Sequence, residues 1–169
     1  MTETAYISLG SNLNDPQQQV MTAVTELNGM PNTEVTGLSH WYCSAPMGPQ
    51  NQPDYINGIA QLETTLNPEQ LLRALQHIEN LHLRERKEHW GARTLDLDIL
   101  LYGNQTIDLP YLQIPHPGIT TRNFVLLPLA DIEPLLVLPD GTTLVSLLES
   151  CSSEGIVRLS SGDICGTTR

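Results

Sequence analysis

Two aspartates two residues apart close a run of cations. Arg84 to Leu101 reads RERKEHWGARTLDLDILL. In its second half, Asp96 and Asp98 alternate with Leu95, Leu97, Ile99 and Leu101. On an extended strand that alternation puts both carboxyls on one face, about 6.6 Å apart along the chain, and the apolar residues on the other. Two carboxylates so placed can chelate one Mg²⁺, or share two ions about 3.5–4 Å apart. The first half carries Arg84, Arg86, Lys87, His89, Trp90 and Arg93. Cations beside a carboxylate pair suit a polyphosphate bound with magnesium, the recurrent arrangement of phosphoryl transfer.

The charge distribution strengthens that reading. The 169-residue chain has a net charge of −11 and only eight Lys and Arg residues, yet Arg84, Arg86, Lys87 and Arg93 fall within ten positions. The bland alternative is a solvated loop whose cations pair with Glu85 and Glu88. The acidic balance argues against a general nucleic-acid binder or a membrane-surface protein. With 40% apolar and 16% charged residues the composition is that of an ordinary globular domain. No secretory signal or membrane span is legible, and three widely spaced cysteines form no metal or disulfide pattern. A cytoplasmic protein with reduced thiols is the expectation.

Further candidates lie in two Pro/Gly-rich loops. Ser44 to Asp54 (SAPMGPQNQPD) is long for a connection, and long ordered loops often carry function. It leads into Tyr55 and Asn57. Ile114 to Phe124 (IPHPGITTRNF) holds His116 between prolines, then Arg122 and Phe124. A rigid Pro-His-Pro beside an arginine can contact phosphate, though a lone histidine is more often structural. Tyr55, Asn57 and Phe124 can form a slot for a small aromatic ring; plain core is the ordinary fate of a single Phe.

The elements that must position these residues are legible in outline. Ala5–Leu9 reads as a strand, broken by GSN at 10–12. Asp15-Pro16 opens a helix with Val20, Ala23, Val24 and Leu27 on one face, ended by Asn28-Gly29. Thr33–Cys43 reads as a second strand and Tyr55–Leu66 as a third. Asn67-Pro68-Glu69-Gln70 starts a second helix, with Leu71, Leu72, Leu75, Ile78 and Leu81 or His82 as its buried stripe. Thr94–Tyr102 is the fourth strand. Short strands follow at 106–109 and 112–114, then a helix near Phe124–Leu127 limited by Pro128, and a last helix at Leu144–Glu149. The order β-α-β-β-α-β predicts an α+β, ferredoxin-like sandwich: an antiparallel sheet with helices on one face, plus short C-terminal elements. A single domain over 1–159 and a disordered tail over 160–169 are expected.

GPQNQPDYIN (48–57), RTLDLDILLYG (93–103) and IPHPGITTRNFVLLPL (114–129), with the opening AYISLGSNL, resemble the signatures of the 6-hydroxymethyl-7,8-dihydropterin pyrophosphokinases. The resemblance spans roughly residues 4 to 148. It implies transfer of pyrophosphate from ATP to the hydroxymethyl group of the reduced pterin, giving AMP and the pterin diphosphate, a step of folate biosynthesis. Carried over by position, it implies that Asp96 and Asp98 hold two Mg²⁺ on the triphosphate. Arg84 and Arg93 stabilise the transferring group, and the spacing leaves the main part open between Arg84 and Arg86. Arg86, Lys87, Trp90, His116 and Arg122 bind or enclose the triphosphate, and Gln76 and Glu79 lie near the nucleoside. Tyr55 and Phe124 sandwich the pterin, Asn57 bonds its edge, and Ser44, Ala45 and Met47 complete that pocket. Loops 44–54 and 82–93 act as lids. Pro117-Gly118 stands where bulkier or basic residues are common in that family. A monomer with small-molecule partners, and neither nucleic acid nor membrane, is expected. A metal-dependent phosphohydrolase and a ferredoxin-like small-molecule sensor are the rival readings.

Overall fold

The computed structural model describes residues 2–13, 15–45, 53–82 and 94–159. The elements run β1 (Glu3–Ser11), α1 (Pro16–Asn28), β2 (Thr33–Leu38), β3 (Tyr42–Ser44), β4 (Tyr55–Thr64), α2 (Pro68–Leu81), β5 (Asp96–Tyr102), β6 (Ile107–Leu109), β7 (Leu112–Ile114), α3 (Asn123–Ile132), α4 (Leu144–Glu149) and β8 (Ile156–Arg158). The main sheet is antiparallel, in the order β5-β1-β4-β3-β8, with β2 also paired to β4. Since β2 and β3 share one partner, they act as one interrupted strand, and the sheet has the expected ferredoxin-like order.

Alternation along β1 and β4 divides the core in two. Ala5, Ile7, Leu9, Ile56, Ala60 and Leu62 face α1 and α2, meeting Val20, Ala23, Leu27, Leu71, Leu75 and Ile78. Tyr6 and Ile59 face the opposite way, against Val125, Leu126 and Leu129 of α3 and Leu144 of α4. The two long helices thus share one face, as expected, and the C-terminal elements cover part of the other. At Ser8, Gly10 and Asn57 the same face turns polar and lies outside this second apolar core.

Several local expectations change. The second strand is broken at 39–41: Ser39 Oγ accepts the Ile59 N–H at 2.8 Å, and Trp41 turns onto the Gly58 backbone. A Cβ at Gly58 would lie 2.4 Å from two indole carbons, so this close approach requires glycine. Asp15 is left-handed (φ 62°) and its side chain makes no capping bond. Asn67 does cap α2, in a reciprocal box with Gln70. His82, not Leu81, completes the buried stripe of α2: Leu81 is exposed, and the His82 ring sits between Gln19 and Glu26 of α1. α3 continues through Pro128 to Ile132. The segment after Arg158 starts on the sheet, with Leu159 N–H donating to Trp41 O at 2.8 Å; residues 160–169 lie outside the described ones. Cys43 is disulfide-bonded, against the expectation of reduced thiols, and Cys151 is free.

β5 carries the change that matters most. Its pairing with β1 slips between Tyr6 and Ile7, which oppose Leu101 and Ile99. Leu100 is the extra residue of a bulge, and a bulge reverses the alternation beyond it. Leu97 and Ile99 point at the two long helices as expected, whereas Leu101 joins Leu100 in the second core and Tyr102 takes its place in the first.

Candidate functional site

The polar end of the second face brings four strands together. Antiparallel partners share a face, so register gives the layout. Asp96 opposes Gly10, which opposes Asn57; Asp98 opposes Ser8, which opposes Ile59. Asp96 is half-buried and Asp98 exposed. Tyr55 lies two residues before Asn57 and opposes Ser44 of β3. The carboxyl pair and the Tyr55–Asn57 pair therefore sit on one surface, separated by the width of β1.

Gly10 is the floor between them. A Cβ there would stand 3.1 Å from Asn57 Oδ1 and 3.7 Å from a Tyr55 ring carbon. β1 runs on to Ser11, so Gly10 is a strand glycine and not a turn residue, and such glycines often mark a close approach. Buried Asn57 donates from Nδ2 to Ser44 Oγ at 2.7 Å, which fixes its amide with the oxygen over Gly10. Asn12, just past β1, donates to Pro53 O at 2.9 Å and so ties the end of the 44–54 loop to this floor.

The third wall is the segment after β7. His116 N–H donates to Leu100 O at 3.0 Å, so the bulge that reverses β5 also presents the carbonyl that docks this loop. Gly118 N–H donates to His116 Nδ1 at 3.0 Å. An acceptor Nδ1 puts the proton of the neutral ring on Nε2. Burial holds His116 below its ordinary value; Asp98 pulls it up and Arg122 pushes it further down. Both charges therefore lie within electrostatic reach of the ring. The Arg122 guanidinium lies over the Phe124 ring, 5.6 Å from its centroid, a distance at which cation and ring attract.

β5 is an edge strand in this sheet, and its outer side is held by α2. Glu79, 4% exposed, accepts the Leu97 N–H at 2.9 Å through Oε2. Leu97 lies between the two aspartates, so this bond fixes the segment that presents them. Glu79, which the resemblance places near the nucleoside, is buried and anchors this strand. Gln76 is exposed on the same helix.

The carboxyl pair offers hard oxygen donors of the kind Mg²⁺ accepts alongside water and phosphate oxygens. Among the described residues no three His, Cys, Asp or Glu side chains cluster into a fuller metal cage. A cation held jointly by this pair and a polyphosphate fits that donor set.

The family model described as 7,8-dihydro-6-hydroxymethylpterin-pyrophosphokinase (HPPK) matches residues 6–134. The chain belongs to this family. It is 49% identical over 159 residues to the 2-amino-4-hydroxy-6-hydroxymethyldihydropteridine pyrophosphokinase of Pseudomonas aeruginosa, covering 94% of this chain and 98% of that one. The Haemophilus influenzae enzyme of the same name is 46% identical over 92% of this chain and 98% of its own. Among solved structures, Plasmodium falciparum HPPK-DHPS wild type with pteroate superposes with a TM-score of 0.70 at 16% identity. That match covers 89% of this chain and 42% of the Plasmodium one, and it supports the fold.

Against the residues named from the HPPK resemblance, the structure brings together Asp96, Asp98, His116, Arg122, Phe124, Tyr55, Asn57 and Ser44. Ala45 is beside them, but its N–H donates to Gly155 O at 3.3 Å, so the C-terminal segment uses that group. Met47, Arg84, Arg86, Lys87, Trp90 and Arg93 lie outside the described residues. Sequence reasoning gave Gly10 and Asn12 no part in the site, named Gly118 only as a departure from the family pattern, and did not anticipate the burial of Glu79. For Glu79 a signal existed: it falls at i+4 from Leu75 and i+8 from Leu71, on the apolar stripe of α2, where a carboxyl needs a partner.

Proposed function

We propose that this protein transfers the pyrophosphoryl group of ATP to the hydroxymethyl oxygen of 6-hydroxymethyl-7,8-dihydropterin, with Mg²⁺, as a cytoplasmic monomer. The observation that carries the reading is the shared face: Asp96 and Asp98 lie one strand away from Asn57 and Tyr55, with no side chain on Gly10 between them. Membership of the family supports the same chemistry.

In this reading the hydroxymethyl oxygen attacks the β-phosphorus. The bond from that phosphorus to the α–β bridging oxygen breaks, AMP leaves with it, and the hydroxyl proton passes to solvent. Magnesium on Asp96 and Asp98, one ion or two, supplies neutralisation of the phosphate charge. Asn57 bonds the pterin edge, and Tyr55 and Phe124 flank its ring. His116 Nε2–H and Arg122 donate to phosphate oxygens, and burial that keeps His116 neutral leaves that donor in place without a second cation. Arg84, Arg86, Lys87, Trp90 and Arg93 complete the triphosphate side, and Gln76 the nucleoside side. Catalysis is then mostly positioning and charge neutralisation.

The test is AMP formation from ATP and Mg²⁺, with and without the pterin. AMP that appears only with pterin supports the proposal. Phosphate or pyrophosphate released without pterin assigns the aspartates to a hydrolase, and pterin binding without turnover assigns the site to a sensor.

A further inference from the structure

Gly118 meets two of the site's basic side chains at once. Its N–H holds His116 Nδ1. A Cβ built on it would lie 2.5 Å from Arg122 Nε, 2.7 Å from Cζ and 2.9 Å from Cδ, closer than atoms can pack. Among the described residues the glycines with positive φ are Gly103, Gly141 and Gly155, so position 118 needs glycine for room and not for its backbone. The room is occupied by the arginine that spans the Phe124 ring.

We propose that Gly118 is a positioning residue: its missing side chain is the slot in which Arg122 lies, over Phe124 and beside His116. An alanine keeps the N–H to His116 and fits the backbone, so it separates the slot from the tautomer lock. The clash falls on a flexible side chain, which swings out rather than unfolding the loop. Arg122 would then leave the Phe124 ring, and the phosphate side would lose a donor while the pterin side kept its ring. The proposal rests on the reading of Arg122 as a phosphate contact.

The experiment compares Gly118→Ala, Arg122→Ala and the double variant in ATP KM and kcat, with the Arg122 Nε–H resonance of the free protein as an independent readout. Gly118→Ala is expected to raise ATP KM about tenfold, with pterin KM within about twofold. The double variant should match Arg122→Ala within about twofold, because the slot has nothing left to position. The Nε–H resonance should shift in Gly118→Ala as the guanidinium leaves the ring. If the alanine lowers Tm, adding Arg122→Ala should restore it. An unmoved resonance, a full additional loss in the double variant, or a Tm that Arg122→Ala fails to restore overturns the proposal. If Arg122→Ala alone leaves ATP KM and kcat unchanged, the phosphate reading of Arg122 is wrong, and the resonance alone decides the slot.

Discussion

Replacing Glu79 with leucine should loosen the strand that carries both aspartates. The wild-type carboxyl accepts the Leu97 N–H at 2.9 Å from a site that is 4% exposed. Leucine is close in volume, so little cavity forms, but the N–H is left buried without that acceptor. Leaving one buried donor unmet costs about 1–3 kcal/mol. For a chain of this size about 2 kcal/mol lowers Tm by roughly 4–8 °C. Glu79→Gln keeps a side-chain oxygen at the same reach and should lose about half as much or less. The site should feel the same change: with Asp96 and Asp98 less well fixed, kcat should fall about tenfold in the leucine variant while pterin affinity stays within about threefold. Thermal unfolding, amide exchange at Leu97 and steady-state kinetics read the three levels separately. A leucine variant with wild-type Tm and unchanged Leu97 exchange would refute the anchor. A glutamine variant as damaged as leucine would show that Glu79 matters by some route other than this hydrogen bond.

Other expectations follow from contacts away from Glu79. Gly58→Ala drives a methyl to within 2.4 Å of the Trp41 ring and should cost about 1–3 kcal/mol in a denaturant titration, since indole and strand are both packed. Asn57→Ala removes the bond to Ser44 Oγ and the amide oxygen that lies over Gly10; pterin binding by calorimetry should weaken about tenfold with ATP binding nearly unchanged. Burial, then the Asp131 partner, pushes the Tyr42 hydroxyl well above its ordinary value. The folded state holds that proton after the unfolded chain has lost it, so this contribution to stability is full below about pH 10 and falls as pH rises beyond. Tyr42→Phe should lose about 1 kcal/mol at neutral pH from the Asp131 bond, and its alkaline decline in Tm should be shallower than wild type's.

What could be read in advance was local. Period-2 alternation put Asp96 and Asp98 on one face, and the Asn67–Gln70 box marked the start of α2. What could not be read depended on distant partners. The bulge at Leu100 exists because β1 and β5 change register, so the sequence of β5 alone assigned Leu101 to the wrong core. The break in the second strand depends on Ser39 and Trp41 meeting β4. Proline at 128 was read as a limit because it removes an N–H, yet the packing of Leu126 and Leu129 against the second face carries α3 past it. Glu79 and Gly118 acquire meaning only from Leu97 and Arg122, which lie 18 and 4 residues away and on other elements or turns of chain.

The most direct test of the central claim compares turnover with pterin binding in Asp96→Asn and Asp98→Asn. Both variants keep the side-chain size and the strand, and both lose charge on the face shared with Asn57. Turnover should fall by about a hundredfold or more in each, with pterin affinity within about threefold of wild type. Near-normal turnover in either variant would contradict the account.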